Sequence, residues 1–239
     1  MDAPQTWHYG LIAEYWAEFN DDFRPHEVPY FRRYVENGCG AALDVACGTG
    51  RLLIPYLRAG LDVDGCDVSP DMVALCRDKA EREGLRPTLW AQPMHELDPP
   101  RAYATIYVCG AFGLGSTREQ DAEALRRFHT FLEPGGTLLI DIEVPYADSR
   151  SDGSEYGLRA RVVAVDPLEQ RLTYEMHAQR WRDELEAEET RRIDIRLYFK
   201  DELLLMLVAA GFSEVDVQGD HNDKPATADD DFIVFVAKK

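Results

Sequence analysis

The chain is poor in positive charge and contains no long apolar run. Its 26 Lys and Arg residues face 44 Asp and Glu residues, which gives a formal net charge of -18 at pH 7. Binding to nucleic acid or to anionic lipid depends on clustered Lys and Arg, so this balance argues against both kinds of partner. No window approaches the roughly eighteen consecutive apolar residues of a membrane-spanning helix. The first ten residues, MDAPQTWHYG, also lack a basic segment followed by an apolar one, so we expect a cytoplasmic protein.

The sequence also lacks paired cysteines. Its five cysteines form no CxxC pair and show no spacing typical of a zinc site. The five are Cys39, Cys47, Cys66, Cys76 and Cys109, and most of them fall inside predicted apolar strands or helices. We therefore expect free thiols in a reducing compartment and no bound metal.

What is present is a regular alternation of strand and helix patterns. With 239 residues, of which 45% are hydrophobic, the chain is long enough for one α/β core with an insertion. The predicted strands span 41–45, 61–66, 87–92, 103–109 and 137–143, and the predicted helices span 50–59, 70–83 and 117–132. A helix (KDELLLMLVAAG) and two strands (EVDVQG and FIVFVAKK) follow near the end. This order predicts a parallel, doubly wound sheet with helices on both faces.

Two segments depart from this alternation. Residues 1–37 contain apolar and aromatic residues at helical spacing (Leu11, Tyr15, Trp16 and Phe19) and predict a helical lid. Residues 147–197 contain three runs of period-two alternation, at 158–165, 171–180 and 190–198, which predict an inserted antiparallel meander. We interpret DELEAEE as a solvated turn between its last two strands. The meander is expected either to cover the site or to form a dimer contact, so both a monomer and a homodimer stay open. The sheet core is assigned to residues 38–146 and 198–239.

The stretch LDVACGTG carries the first indication of chemistry. A glycine turn after a strand suits close approach of a ligand to the backbone. The dinucleotide pattern G-x-G-x-x-G is not met, because Ala46 precedes the pair and Leu53 stands where the third glycine belongs. The Asp44 carboxylate repels a pyrophosphate and attracts a cation. Asp67, about twenty residues further on, is placed to bind ribose hydroxyls, so these residues favour a cationic cofactor that contains a ribose.

Together the motifs resemble one enzyme family. LDVACGTG, followed by GCDVSPDM, FLEPGGTLLID and LYFKDELLLMLVAAGF, is similar to the class I S-adenosylmethionine-dependent methyltransferases. The resemblance implies a Rossmann-like seven-stranded sheet whose last strand is antiparallel. It also implies S-adenosylmethionine as cofactor and S-adenosylhomocysteine as product.

The resemblance implies a set of cofactor-binding residues. Asp44 and the backbone of the turn are expected against the methionine part: Ala46, Cys47, Gly48 and Gly50. Asp67 is expected on the ribose, and the adenine contacts fall to Val68, Met72, Gln92, Pro93 and Met94, with Gln92 accepting a hydrogen bond from the adenine amino group. Cys109 and Gly110 are expected near the sulfonium, with Tyr15 on the lid above the cofactor.

Methyl transfer needs alignment and exclusion of water more than it needs a nucleophilic side chain. A general base helps when the acceptor is a protonated amine or a hydroxyl. Three residues are candidates for contact with the acceptor: Tyr9 on the lid, Glu143 at the end of a strand, and His177 in the meander. Each also has an ordinary interpretation, as a packed aromatic, a solvated acid or a surface histidine.

The predicted function is methyl transfer to a nitrogen or oxygen of a small-molecule acceptor. Nitrogen is favoured, because a negative field and the lack of a clear base suit an amine. Two alternatives stay open at this point. One is a nicotinamide-dinucleotide oxidoreductase on the same sheet, and the other is a non-catalytic module that binds the cofactor or a protein partner.

Overall fold

The computed structural model describes residues 6–19, 24–144, 158–181 and 185–239. Ten strands are present in this part of the chain: β1 (Ala42–Val45), β2 (Val63–Asp67), β3 (Leu89–Ala91), β4 (Tyr103–Val108), β5 (Leu132–Glu143), β6 (Leu158–Asp166), β7 (Arg171–Trp181), β8 (Leu185–Arg196), β9 (Glu214–Gly219) and β10 (Phe232–Lys238). The helices are α1 (Gly10–Phe19), α2 (Glu27–Asn37), α3 (Leu53–Arg58), α4 (Pro70–Arg82), α5 (Arg118–Phe131) and α6 (Lys200–Ala210), with a short 3₁₀ turn at Met94–Glu96. None of these helices has the length and apolar character needed to span a bilayer.

Seven strands form one sheet in the order β3-β2-β1-β4-β5-β10-β9. β1 to β5 are parallel, and β10 runs antiparallel to both of its neighbours. This confirms the predicted seven-stranded sheet with an antiparallel last strand. The strand order reverses beside β1, where Val45 pairs with Cys66 on one side and Val108 on the other. Ligands of open parallel sheets bind at such a reversal, beyond the carboxyl ends of the strands.

The sheet is buried on both faces, which explains why its strands are apolar runs rather than alternating ones. Every residue of β1, β2 and β4 is buried. One face packs against α5 and α6 and the other against α2, α3 and α4. α4 begins where the Ser69 hydroxyl accepts a hydrogen bond from the Met72 amide, with Pro70 in the first turn. This start fixes α4 directly behind the acid that ends β2.

β6, β7 and β8 form the separate antiparallel meander that the alternation predicts. Its inner face packs on α1 through a cluster of buried residues: Trp7, Leu11, Ile12, Met176, Ala178 and Ile193. The first amides of α1 are held from outside the helix. Gly10 N donates to Asp71 Oδ2 at 2.8 Å, and Leu11 N donates to Glu189 Oε2 at 2.9 Å. The lid is therefore fixed between α4 and the meander.

Three predicted boundaries are wrong. α3 begins at Leu53 rather than at residue 50, because Gly50 has a φ of +90° and cannot belong to a helix. β5 begins at Leu132 rather than at 137. β8 begins at Leu185, so most of DELEAEE is strand; residues 182–184 lie outside the described part.

Candidate active site

A cavity of about 500 Å³ opens at the carboxyl ends of β1, β2, β4 and β5. The start of the lid and the meander cover it. Eleven of the predicted site residues line this cavity: Asp44, Ala46, Cys47, Gly48, Asp67, Val68, Met72, Met94, Cys109, Gly110 and Glu143. Six do not: Tyr9, Tyr15, Gly50, Gln92, Pro93 and His177.

The glycine turn owes its shape to three residues with positive φ. Ala46 has φ +60°, Gly48 +55° and Gly50 +90°. A Cβ on Gly48 would meet only the Met72 methyl, at 3.5 Å, so the turn presents bare backbone to the cavity. A Cβ on Gly50 would lie 2.8 Å from Cys76 Sγ. Gly50 is therefore needed for close packing behind the turn.

Asp67 closes the turn from the neighbouring strand. Its Oδ2 accepts a hydrogen bond from Gly48 N at 2.9 Å, and its Oδ1 accepts one from Ser69 N at 2.8 Å. Burial raises the pKa of Asp67 to about 6, although these backbone donors favour its ionised form. Each carboxylate oxygen keeps a further acceptor position for a ligand hydroxyl.

Asp44 is the second buried acid of this half of the cavity. It is 3% exposed, and burial raises its pKa to about 8. Holding two carboxylates this close together out of water is costly unless a cation compensates them. The pair therefore favours a positively charged ligand at the carboxyl ends of β1 and β2.

Gln92, which is predicted to contact adenine, lies outside the cavity lining. Its Oε1 accepts hydrogen bonds from Trp90 Nε1 and from Asp98 N, both at 3.0 Å, so this oxygen serves the local turn after β3. Pro93 also lies outside the cavity lining, whereas Val68, Met72 and Met94 line this side. The predicted adenine-side residues that do line the cavity are therefore apolar.

Three of the predicted lid and meander residues are engaged elsewhere. The Tyr9 ring lies 5.2 Å below the Arg191 guanidinium, and the Tyr15 hydroxyl donates to the Gln179 carbonyl. His177 contacts Thr190 Oγ1 at 2.9 Å and Glu188 Oε1 at 3.2 Å. Each of these side chains holds the lid or the meander together, because its partner lies on β7 or β8.

Glu143 is the predicted acceptor-side residue that does reach the cavity. Burial of its carboxyl raises its pKa, the nearby Arg24 lowers it, and Asp231 raises it. Glu143 therefore lies at the cavity rim, next to both a cation and another acid.

The sequence analysis missed a buried charged group on the cavity wall. Glu27, at the start of α2, is fully buried and forms an ion pair with Arg51. Arg51 also donates to Cys109 Sγ at 3.4 Å. Glu27, Cys109 and Asp141 offer potential metal ligands within 4.8 Å of one another, but the Arg51 guanidinium already supplies positive charge there. The expected absence of metal stays a prediction.

Two further cavity residues, Trp7 and His8, come from the segment before α1. Trp7 Nε1 donates to His8 Nε2 at 2.9 Å, and burial lowers the pKa of His8 to about 3. His8 is therefore neutral at physiological pH. The aromatic residues of WHYG indicated that this segment belongs to the lid. The helical spacing of the segment gave no indication of which rings face the cavity.

The site fits S-adenosylmethionine on observations of this chain alone. Gly48 presents bare backbone, and a Cβ on Gly110 would meet no atom within 4 Å, so both sides of the β1 end leave room for a ligand. Asp44 and Asp67 supply the negative charge that a sulfonium and an ammonium group need. Among the described residues at the carboxyl ends of β1 and β2, the two acids disfavour a pyrophosphate.

Comparisons with known proteins agree with this geometry. Residues 42–136 match the sequence model of a methyltransferase domain. A putative methyltransferase of Geobacillus sp. is 24% identical over 220 residues, which is 87% of this chain and 88% of the relative. The solved structure of an S-adenosylmethionine-dependent methyltransferase from Clostridium acetobutylicum has a TM-score of 0.73 at 17% identity and covers 95% of this chain and 96% of that one. A glycopeptide N-methyltransferase solved with (S)-adenosyl-L-methionine has a TM-score of 0.60 at 20% identity over 90% and 86% of the two chains.

The fold is Rossmann-like, and the two acids at the carboxyl ends of β1 and β2 suit a cationic ligand. Residues 42–136 match a methyltransferase domain, the chain is similar to a putative methyltransferase over most of its length, and its fold is that of an S-adenosylmethionine-dependent methyltransferase.

Proposed function

We propose that this enzyme methylates a nitrogen atom of a small-molecule acceptor. The observation that carries this proposal is the enclosure of the cavity. Its far side is covered by apolar side chains of all three meander strands: Val162, Leu172, Tyr174 and Ile195. A cavity of about 500 Å³ is in the usual range for small-molecule sites, and a covered site disfavours a macromolecular acceptor.

When bound, S-adenosylmethionine supplies a methyl group that is already activated by a sulfonium. The residues of this chain bind and orient the cofactor and the acceptor. Asp44 and the backbone of Gly48 are proposed to hold the methionine part, and Asp67 the ribose. The apolar meander side chains exclude water from the reacting centre, which strengthens electrostatic interactions inside the cavity. Cys109 and Gly110 are proposed to border the transferred methyl.

The charges along the β5 side support nitrogen as the acceptor atom. Asp141 and Glu143 line this side, and carboxylates bind an ammonium group better than a neutral hydroxyl. The glycopeptide N-methyltransferase of similar fold is consistent with this choice. A cytoplasmic location and a monomeric or homodimeric state stay predictions.

A panel of matched acceptors tests the proposal. The purified protein is incubated with S-adenosylmethionine and with pairs of small amines and their hydroxyl analogues, and S-adenosylhomocysteine is measured by mass spectrometry. We expect turnover with members of the amine series and none with the matched alcohols. Turnover with alcohols or phenols alone would replace nitrogen by oxygen, and turnover with a protein or an RNA alone would refute a small acceptor.

A further inference from the structure

Asp141 is a buried acid in the middle of an apolar strand. It is 1% exposed and lines the cavity. Its neighbours on β5, from Thr137 to Ile142, are all buried. An acid in this setting is costly unless hydrogen bonds and charge compensate it. The sequence analysis named Glu143 on this strand as a candidate, but nothing in the motif LLIDI singled out Asp141.

The Asp141 carboxylate is bound to the loop that follows β4. Its Oδ1 accepts a hydrogen bond from Gly110 N, and the Cys109 thiol lies 3.5 Å from Oδ2. Because β4 lies next to β1 in the sheet, these contacts hold the carboxylate beside the part of the cavity that borders the transferred methyl. A carboxylate offers about four acceptor positions, so a position remains for a ligand.

His221 supports Asp141 from the opposite side. Its Nε2 lies 2.8 Å from Asp141 Oδ2, and the ring is 7% exposed among aromatic rings. His221 and Asp220 have φ values of +52° and +41°. Two successive non-glycine residues in the left-handed region are strained and persist only where packing holds them. The fold thus tolerates strain where it places an imidazole against Asp141.

The hydrogen bonding of His221 indicates its proton position. Nδ1 makes no hydrogen bond to any described residue, whereas Nε2 contacts a carboxylate. A proton on Nε2 meets both conditions, because it lets His221 donate a hydrogen bond to Asp141 Oδ2. In this arrangement His221 orients the carboxylate.

The other acids of this side differ from Asp141. Glu27 is paired with Arg51, and Glu143 lies near Arg24. Within the described part of the chain, Asp141 makes no ion pair with an arginine. Its charged or polar partners are instead His221 and the Gly110 amide, which leaves it without a guanidinium partner in this part of the cavity.

We propose that Asp141 is the acceptor-side binding group of this enzyme and that His221 is its positioning residue. Asp141 binds the ammonium form of the acceptor beside the transferred methyl. It then takes one proton from that nitrogen, which leaves a neutral amine with its lone pair free and a protonated Asp141. This inference rests on the proposed function, since it assumes a nitrogen acceptor.

Sinefungin tests this placement without knowledge of the acceptor. In this cofactor analogue an amine-bearing carbon replaces the methylsulfonium, so its ammonium group lies where the methyl is transferred. S-Adenosylhomocysteine, which has no group there, is the matched ligand. The affinity of the full chain for both ligands is measured by calorimetry for the wild type and for Asp141→Asn, with Glu133→Gln, at an exposed position of the same strand outside the cavity lining, as the matched variant.

We expect Asp141→Asn to weaken sinefungin binding by about 10-fold to 100-fold, the range of a lost charge-assisted hydrogen bond. Its affinity for S-adenosylhomocysteine should change by less than about 3-fold, and Glu133→Gln should leave the ratio of the two affinities near that of the wild type. Equal losses for both ligands, no loss for either, or a selective loss in Glu133→Gln would overturn the assignment of Asp141. A wild-type protein that binds neither ligand would instead overturn the proposed function.

His221 provides the second arm, which also applies if Asp141→Asn does not fold. His221→Phe removes the donor to Asp141, whereas His221→Gln keeps an N–H at similar reach. We expect a selective loss of sinefungin affinity of about 3-fold to 10-fold in the Phe variant and partial recovery in the Gln variant. An identical sinefungin ratio in both variants and the wild type would show that His221 does not position Asp141.

Discussion

The two halves of the cavity are built in different ways. The proposed cofactor half, at the ends of β1 and β2, is made of backbone: Gly48 carries no side chain into the cavity, and its amide donates a hydrogen bond to Asp67. The proposed acceptor half, at the ends of β4 and β5, is made of side chains from distant segments. Asp141 meets a histidine 80 residues further along the chain, and Glu27 meets Arg51 from another element.

This difference separates the residues proposed to bind the cofactor from those proposed to bind the acceptor. A backbone turn with two close acids suits the cofactor whatever the acceptor is. Side chains that reach the cavity from α2, β5 and the meander can change individually. The variants below act on one half at a time.

The largest effect is expected from breaking the buried ion pair of the acceptor half. Glu27→Ala leaves the Arg51 guanidinium buried without its partner, which should lower the free energy of unfolding by about 3–5 kcal/mol. Chemical denaturation with urea measures this. Glu36→Ala on the same helix is the control, since Glu36 forms an exposed i,i+4 pair with Arg32 and should cost less than about 1 kcal/mol. Equal effects of the two substitutions would contradict the buried role of Glu27.

A smaller effect is expected from the cofactor half. Asp67→Asn keeps the size of the side chain but removes the charge, so it should weaken S-adenosylmethionine binding by about 1–3 kcal/mol. Calorimetric titration gives this value. Asp78→Asn, at an exposed position of α4, should leave the affinity unchanged. An unchanged affinity in Asp67→Asn would remove Asp67 from the site.

The raised pKa values of the cofactor half predict opposite pH trends for stability and for binding. The pKa is about 8 for Asp44 and about 6 for Asp67, both above the values near 4 of the unfolded chain. The folded protein therefore binds more protons than the unfolded one, and the stability of the free protein should fall as pH rises from 5 to 8. A cationic ligand favours the ionised acids, so its affinity should rise from pH 5.5 to 7.5 with release of protons. Calorimetry in two buffers with different ionisation enthalpies measures this release; proton uptake would refute the prediction.

The smallest effect concerns the joint between lid and meander. Glu189→Gln removes the charge from the side chain that accepts the hydrogen bond of the Leu11 amide at the start of α1. We expect the free energy of unfolding to fall by about 1 kcal/mol. Thermal unfolding measures it. Cofactor affinity should change by less than about 2-fold, since Glu189 does not line the cavity. A large loss of cofactor affinity would mean that the lid itself holds the cofactor.

Sequence patterns were sufficient for the sheet and for most of the residues that line the cavity at the ends of β1 and β2, because both depend on local rules. The order of strands and helices, the glycine turn and the acid that ends β2 all follow from short stretches of sequence. The acceptor half depends on long-range contacts, so Glu27, Asp141 and His221 carried no local signal that set them apart from other acids and histidines. Arg51 differs from these three residues, because it directly follows the glycine turn, whose position the sequence predicts.

Gln92 and the lid show a second limit. A side chain at the expected place on a strand can still be used by its own turn, as Gln92 is by Trp90 and Asp98. Similarly, helical spacing predicted that α1 is amphipathic. It gave no indication that Trp7 and His8, before the helix, reach the cavity while Tyr15 binds the meander.

Calorimetric titration of the wild-type protein with S-adenosylmethionine, S-adenosylhomocysteine and a reduced nicotinamide dinucleotide tests the central claim most directly. The account predicts binding of the first two at about micromolar dissociation constants, or about −8 kcal/mol, and no heat from the dinucleotide. Binding of the dinucleotide alone would contradict it, because the acids at the ends of β1 and β2 would then accommodate a pyrophosphate.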